Sequence, residues 1–85
     1  MIETQTLPTE PGCYLFFDST GTIIYVGKAK NLRRRVSSYF SRNDLDPKTK
    51  RLVAAIAGID FIVTDTEVEA FILENTLIKK HQPKY

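Results

Sequence analysis

Gly12-Cys13-Tyr14-Leu15-Phe16-Phe17, then Ser19-Thr20-Gly21-Thr22, then Ile23-Ile24-Tyr25-Val26-Gly27-Lys28 is the stretch from which the rest of the chain is read. Two runs rich in aromatic and β-branched residues flank a turn cluster, which predicts an antiparallel hairpin with strands from Cys13 to Asp18 and from Ile23 to Gly27. A loop of two or four residues sets Tyr25 across from Phe16. Side chains alternate between faces, so Tyr14, two positions from Phe16, then points to the same side as Tyr25. A slip of one residue would separate the two phenols.

Outward from the hairpin, Pro8-Thr9-Glu10-Pro11-Gly12 reads as an irregular lead-in ending in a turn. On the other side, Asn31 is an N-cap for a helix through about Phe40, in which Leu32, Val36, Tyr39 and Phe40 form one apolar stripe. Arg34 faces away from that stripe, toward solvent or a distant phosphate. Arg35 lies at its edge, one turn before Tyr39, placed to reach across the sheet. Asp44-Leu45-Asp46-Pro47 starts a second helix that runs to about Ala57 and stops at Gly58. Ile59 to Thr64 is a third strand, and a last helix runs from Asp65 or Thr66 to about Lys80. The order β-β-α-α-β-α predicts an α+β fold.

The last helix has an unusual pattern. Ala70, Leu73 and Leu77 make one apolar sector, Val68, Phe71 and Ile78 another, and Glu74 falls in the gap between them. A carboxylate with apolar neighbours on both sides is expected to have a cation, a set of donors or a metal, because burying it alone costs several kcal/mol. A salt bridge to Arg35 or a lysine and a hard divalent ion both satisfy that demand.

With 85 residues the chain accommodates one domain, residues 1–85, and 42% hydrophobic with 26% charged residues is the composition of a folded chain. No apolar run approaches the roughly 20 residues of a membrane helix, and the first residues carry no secretory pattern, which predicts a cytoplasmic protein. Cys13 is the only cysteine, so an internal disulfide is excluded, and in its apolar run it reads as a small buried hydrophobe. His81 is the only histidine and reads as a solvated residue near the end of the last helix. Nine of the twelve Lys and Arg residues lie between Lys28 and Arg51. Such a stripe is either a solvated face or the footprint of a phosphate backbone, with Lys30, Arg33, Arg34 and Arg42 as its candidate contacts.

Phosphodiester hydrolysis requires a positioned water, a base and positive charge for the transition state. Two tyrosines, two or three cations and one carboxylate can supply those roles. A phenol with a pKa near 10 is a poor base, so Tyr25 needs nearby positive charge, for which Lys28 is a candidate.

Pro11-Gly12-Cys13-Tyr14, Ile24 through Leu32, Arg35 with Ser38-Tyr39, Glu69 through Asn75, Leu77-Ile78-Lys79-Lys80 and Pro83-Lys84-Tyr85 occur here in a specific order and spacing. Through them the chain from Leu7 to Tyr85 resembles the N-terminal GIY-YIG endonuclease domain of UvrC proteins, the nuclease subunits of nucleotide excision repair. The resemblance implies a three-stranded antiparallel sheet flanked by helices, and a one-metal endonuclease that incises damaged duplex DNA on the 3′ side of a lesion. Carried over by position, Glu74 would be the sole protein ligand of Mg²⁺ or Mn²⁺, Tyr25 the general base, and Arg35 the stabiliser of the scissile phosphate. Tyr14, Lys28 and Tyr39 would complete the hydrogen-bonding site, and Gly27 would permit close backbone approach. It also implies that the chain is one domain of a longer protein, which meets a UvrB-type partner through other regions. Cys13 and Val26 depart from the family's usual aliphatic and isoleucine, and both suit a strand.

Two other readings remain open at this point. A stand-alone GIY-YIG nuclease would act on branched or undamaged DNA without a UvrB partner. A non-catalytic nucleic-acid-binding module would use the basic stripe for phosphates and the tyrosines for stacking, leaving Glu74 as a structural anion.

Overall fold

A strand that is apolar at every position has to be covered on both faces, and Gly12–Phe17 (β1) meets that demand by taking the middle of the sheet. In the computed structural model, which describes residues 3–85, Ile23–Ala29 (β2) and Gly58–Val63 (β3) pair with it antiparallel on either side, in the order β2-β1-β3. Leu32–Ser41 (α1) and Pro47–Ala55 (α2) follow β2, and Glu67–His81 (α3) follows β3. The architecture is α+β, with element order β-β-α-α-β-α.

The two faces of β1 found two cores. Tyr14 and Phe16 pack with Leu32, Val36 and Tyr39 of α1 and Leu52 of α2. Cys13 and Leu15 pack with Val26 and with Ala70 and Leu77 of α3. Cys13 is fully buried, as expected of a small hydrophobe, and its Sγ–H donates to the Ala70 carbonyl at 3.1 Å.

The hairpin register has a specific cause. Asp18 N–H donates to the Thr22 carbonyl, and the Asp18 carboxylate accepts from Thr20 and Thr22, while Gly21 takes the left-handed φ of 85° that the turn requires. Residues 18–22 thus form the loop and Phe17 faces Ile23, a register that, continued, would set Tyr25 opposite Leu15 and turn it to the α3 face. A β-bulge intervenes. Ile24 is the extra residue, Phe16 pairs with Tyr25, and Tyr14 and Tyr25 come to the same face as the sequence predicts.

The lead-in has more purpose than its irregular sequence suggests. The first N–H groups of a helix have no partner inside it. In α1, Leu32 N–H donates to the Glu10 carbonyl, Arg33 N–H to Pro8, and Arg34 N–H to the Asn31 side chain. Arg33 Nε also donates to the Leu7 carbonyl at 2.8 Å, so that part of this guanidinium is committed to the fold.

At two places the structure departs from expectation. Gly58 opens β3 instead of ending α2, because α2 stops at Ala55 and the Ala57 N–H already donates to the Phe17 carbonyl. α3 rests on β2 and β1 through one apolar sector, Ala70 and Leu77 with Leu73, while Val68, Phe71, Ile72 and Ile78 remain exposed. Glu74 is consequently half-buried at a sector border and not enclosed between two packed ones. His81 closes α3, half-buried.

Phe16 is fully buried among Tyr14, Tyr25, Tyr39 and Phe40. Phe16→Ala should cost about 3–5 kcal/mol, a large part of the roughly 5–15 kcal/mol of a small domain. A urea-unfolding midpoint that shifts little would show that the face against α1 is not the main core.

Candidate active site

Tyr14 faces Gly27 across the β1–β2 ladder, and that glycine determines where the phenol goes. A Cβ at Gly27 would overlap Cζ and Oη of Tyr14, so the ring occupies the space that a side chain would fill. Its hydroxyl is thereby carried to α1, where it lies 2.8 Å from the Tyr39 hydroxyl. Arg35 closes the group, with Nε donating to Tyr14 Oη at 3.4 Å and Nη2 donating to Tyr39 Oη at 3.3 Å. The guanidinium carbon is 5.1 Å from the Tyr39 ring centroid, a cation–π contact. Tyr25 completes the aromatic floor, 6.1 Å from Tyr14 and 6.3 Å from Tyr39 between centroids.

The protons of this network can be counted. One O–H bridges Tyr14 and Tyr39, and both oxygens accept from Arg35. That leaves one phenolic O–H and the other guanidinium N–H groups free to donate outward, a pattern suited to an anion such as a phosphodiester.

Tyr14 and Tyr25 are held neutral. Burial raises the Tyr14 pKa far above the usual 10, the hydrogen bond with Tyr39 raises it further, and Arg35 opposes both. Tyr25 is pushed up to about 12, first by burial and then by Tyr39, with Arg35 again pulling it down. The cation that assists Tyr25 is therefore Arg35 and not Lys28. Lys28 pairs with Cys13, and strict alternation turns its side chain to the α3 face, where it lowers the Cys13 pKa while burial and Glu74 raise it.

Two clefts meet at Arg35. One, of about 400 Å³, runs from Tyr25, Arg35 and Tyr39 past Arg42 to the start of α2 and to Tyr85. The other, of about 620 Å³, passes around the β2 edge and is lined by Lys28, Lys30, Arg34 and Arg35 and by Glu67 and Ala70 of α3. Lys30 reaches Glu67 at 3.9 Å across it, and Arg42 makes a two-point pair with Asp44 at 3.0 Å. Glu67, Ala70 and Glu74 share a helix face at spacings of three and four residues, so Glu74 continues the α3 wall just beyond the second cleft.

The expected partner of Glu74 is not a side chain. Among the described residues it forms no ion pair with Arg35 or any lysine and no hydrogen bond. No three His, Cys, Asp or Glu residues cluster among the described residues either. A half-buried carboxylate without a protein partner fits a hard, largely hydrated divalent cation, which accepts one carboxylate and keeps most of its waters. The structure thus brings Tyr14, Tyr25, Arg35 and Tyr39 into one cluster, sets Lys28, Lys30 and Arg34 beside it, and leaves Glu74 on the neighbouring α3 wall. Tyr85 was missed by sequence reasoning, since its place depends on a chain reversal after α3 that no periodicity signals.

Gly27→Ala should displace the Tyr14 ring, return its pKa toward 10 in an ultraviolet titration, and lower any phosphodiester cleavage by about 100-fold through misplacement of the cluster. An unchanged Tyr14 titration would contradict it. Because folding raises the Tyr25 pKa, its stabilising contribution is complete below pH 10 and is lost as pH rises through about 12. Unfolding measured across that window should show a smaller alkaline decline for Tyr25→Phe than for the parent chain.

Residues 10–85 match the family model described as a UvrC-like GIY-YIG domain. The UvrABC system protein C of Methanosarcina barkeri is 65% identical over all 85 residues, and that of Methanococcus maripaludis 61% identical over the same span, each with 16% of its own length covered. The chain thus spans about one sixth of the relatives it matches. A crystal structure of the GIY-YIG N-terminal endonuclease domain of UvrC from Thermotoga maritima, bound to its catalytic divalent cation magnesium, superimposes with a TM-score of 0.85 at 44% identity, covering 96% of this chain and 89% of that one. The β2-β1-β3 sheet, the phenol cluster on it and the match over nearly its whole length agree, and the chain belongs to the UvrC-like GIY-YIG endonuclease domains.

Proposed function

We propose that this chain is the domain that makes the 3′ incision near a lesion in nucleotide excision repair, as one domain of a longer protein. The observation that carries the reading is the Arg35 guanidinium bonded to two buried phenols, with a carboxylate on the adjoining wall that has no partner among the described residues. Such a site is positive and rich in donors, the complement of a phosphodiester.

Arg35 and the free O–H of the Tyr14–Tyr39 pair hold the scissile phosphate and stabilise charge as it develops on the phosphoryl oxygens. Tyr25, once its own phenolic proton has been lost to solvent, accepts the proton of the attacking water. Its pKa of about 12 is too high for this at neutral pH in the cluster alone. Glu74 would hold Mg²⁺ or Mn²⁺, which supplies the positive charge that brings the phenol into range and polarises the phosphate. Lys28, Lys30 and Arg34 guide the strand along the β2 edge, and Arg42 does so once released from Asp44. Arg33 contributes through the guanidinium nitrogens not bonded to Leu7. DNA is the substrate on this reading, and a UvrB-type partner binds regions outside this chain. Among the described residues no helix is long and apolar enough to cross a membrane, which accords with a role on DNA.

In the longer protein that carries this domain, Glu74→Gln should abolish Mg²⁺-dependent 3′ incision of a lesion-bearing duplex while leaving DNA binding in place. Arg35→Ala should lower it by about 100- to 1,000-fold. Full incision by Glu74→Gln would sink the one-metal reading, and equal cleavage of undamaged or branched DNA without a partner would favour a stand-alone nuclease.

A further inference from the structure

The cleft beside the phenols has more wall than a phosphate needs. Its apolar lining is Tyr25, Tyr39 and Tyr85 with Leu45 and Leu52, and its volume of about 400 Å³ is in the range that accepts a small ligand. Tyr85 is brought there deliberately. Gln82 adopts the left-handed conformation with φ of 45°, the chain turns back after α3, and Tyr85 N–H donates at 3.0 Å to the carbonyl of Ile24, the bulged residue beside Tyr25. Its half-buried ring packs against the α1-side core.

Several polar groups around this cleft already have partners. Ser38 Oγ donates to the Arg35 carbonyl at 2.6 Å. Thr49 donates its N–H and its hydroxyl to the Asp46 carboxylate at 2.8 and 3.1 Å. Asp44 accepts both Arg42 nitrogens. What remains facing the space is a mixed surface, the rings of Tyr25, Tyr39 and Tyr85 with Leu45 and Leu52, with Arg35 at one end, Lys48 at the rim and the Asp44 and Asp46 carboxylates engaged by Arg42 and Thr49. The edge of a nucleobase would meet phenolic hydroxyls, which donate or accept alike and so distinguish no base, whereas its face would meet rings. A site of this kind binds any base by stacking and none by its hydrogen-bonding pattern.

We propose that this cleft is a nucleoside subsite for the nucleotide next to the phosphate held by Arg35. The base packs against Tyr85 without regard to its identity, and Lys48 holds the following phosphate. The assignment rests on the nuclease reading for the position of that phosphate. Tyr85 is a substrate-binding residue on this account, and takes no part in proton transfer.

The test is binding of the 85-residue chain to short single-stranded oligonucleotides, read by tyrosine fluorescence at low salt and without divalent ions, so that no cleavage is needed. A thymidine hexamer should bind about tenfold tighter than the same phosphodiester hexamer with abasic tetrahydrofuran units. Adenine and cytosine hexamers should match thymidine. Tyr85→Ala should remove the thymidine advantage, and Tyr85→Phe, which keeps the ring and the fold, should retain it. Equal binding of thymidine and abasic hexamers, no binding of either, or an advantage that survives Tyr85→Ala would overturn the subsite. These results are separable from the nuclease reading. Metal-dependent incision without a base-dependent advantage overturns the subsite alone, and a base-dependent advantage without incision overturns the nuclease assignment alone.

Discussion

The placement of the Tyr14 ring over the bare backbone of Gly27 is the constraint on which the rest of the site depends. In an ordinary antiparallel pair two side chains stand together, and here one is missing so that the other can lie across the ladder. The hydroxyl that results meets α1, and α1 can be there only because Leu32 and Val36 are sunk in the core and the lead-in carbonyls take its first N–H groups. The bulge at Ile24 serves the same end by turning Tyr25 to the α1 face. Two local irregularities, an absent side chain and an extra residue, therefore build the cluster on an otherwise regular sheet.

The electrostatic consequence is a site that waits for an anion. Burial keeps the Tyr14 and Tyr25 phenols protonated, and Arg35 supplies the positive charge beside them. Placing the carboxylate on α3, around the edge of β2, keeps it from neutralising Arg35 through a salt bridge. The separation of Arg35 and Glu74 thus leaves the guanidinium facing the phenols and the carboxylate on the α3 wall without a side-chain partner among the described residues. A direct pair between them would neutralise both charges.

Much of this was legible in the sequence because it follows short periods. Alternation after an even loop put Tyr14 and Tyr25 on one face, an outcome that the five-residue loop reaches only through the bulge at Ile24, helical spacing put Arg35 one turn from Tyr39, and Asn31, Asp46 and Thr66 all cap the helices that they precede. The same alternation, carried three residues past Tyr25, would have shown that Lys28 points to the other face. What stayed hidden depends on packing between elements. The environment of Glu74 was misjudged since helical projection cannot say that α3 is covered on one sector only, and the value of Arg33 to the lead-in and of Tyr85 to the cleft arises from contacts 26 and 61 residues apart in the chain.

Whether Glu74 carries the cation beside the phenols decides the nuclease assignment. Crystals of the domain soaked in Mn²⁺ and measured at the manganese absorption edge test this directly. A single anomalous peak next to the Glu74 carboxylate, on the side of the β2 edge that faces Tyr25 and Arg35, and absent from Glu74→Gln crystals, is the predicted result. A peak bound elsewhere, or one that persists in Glu74→Gln, would contradict the account.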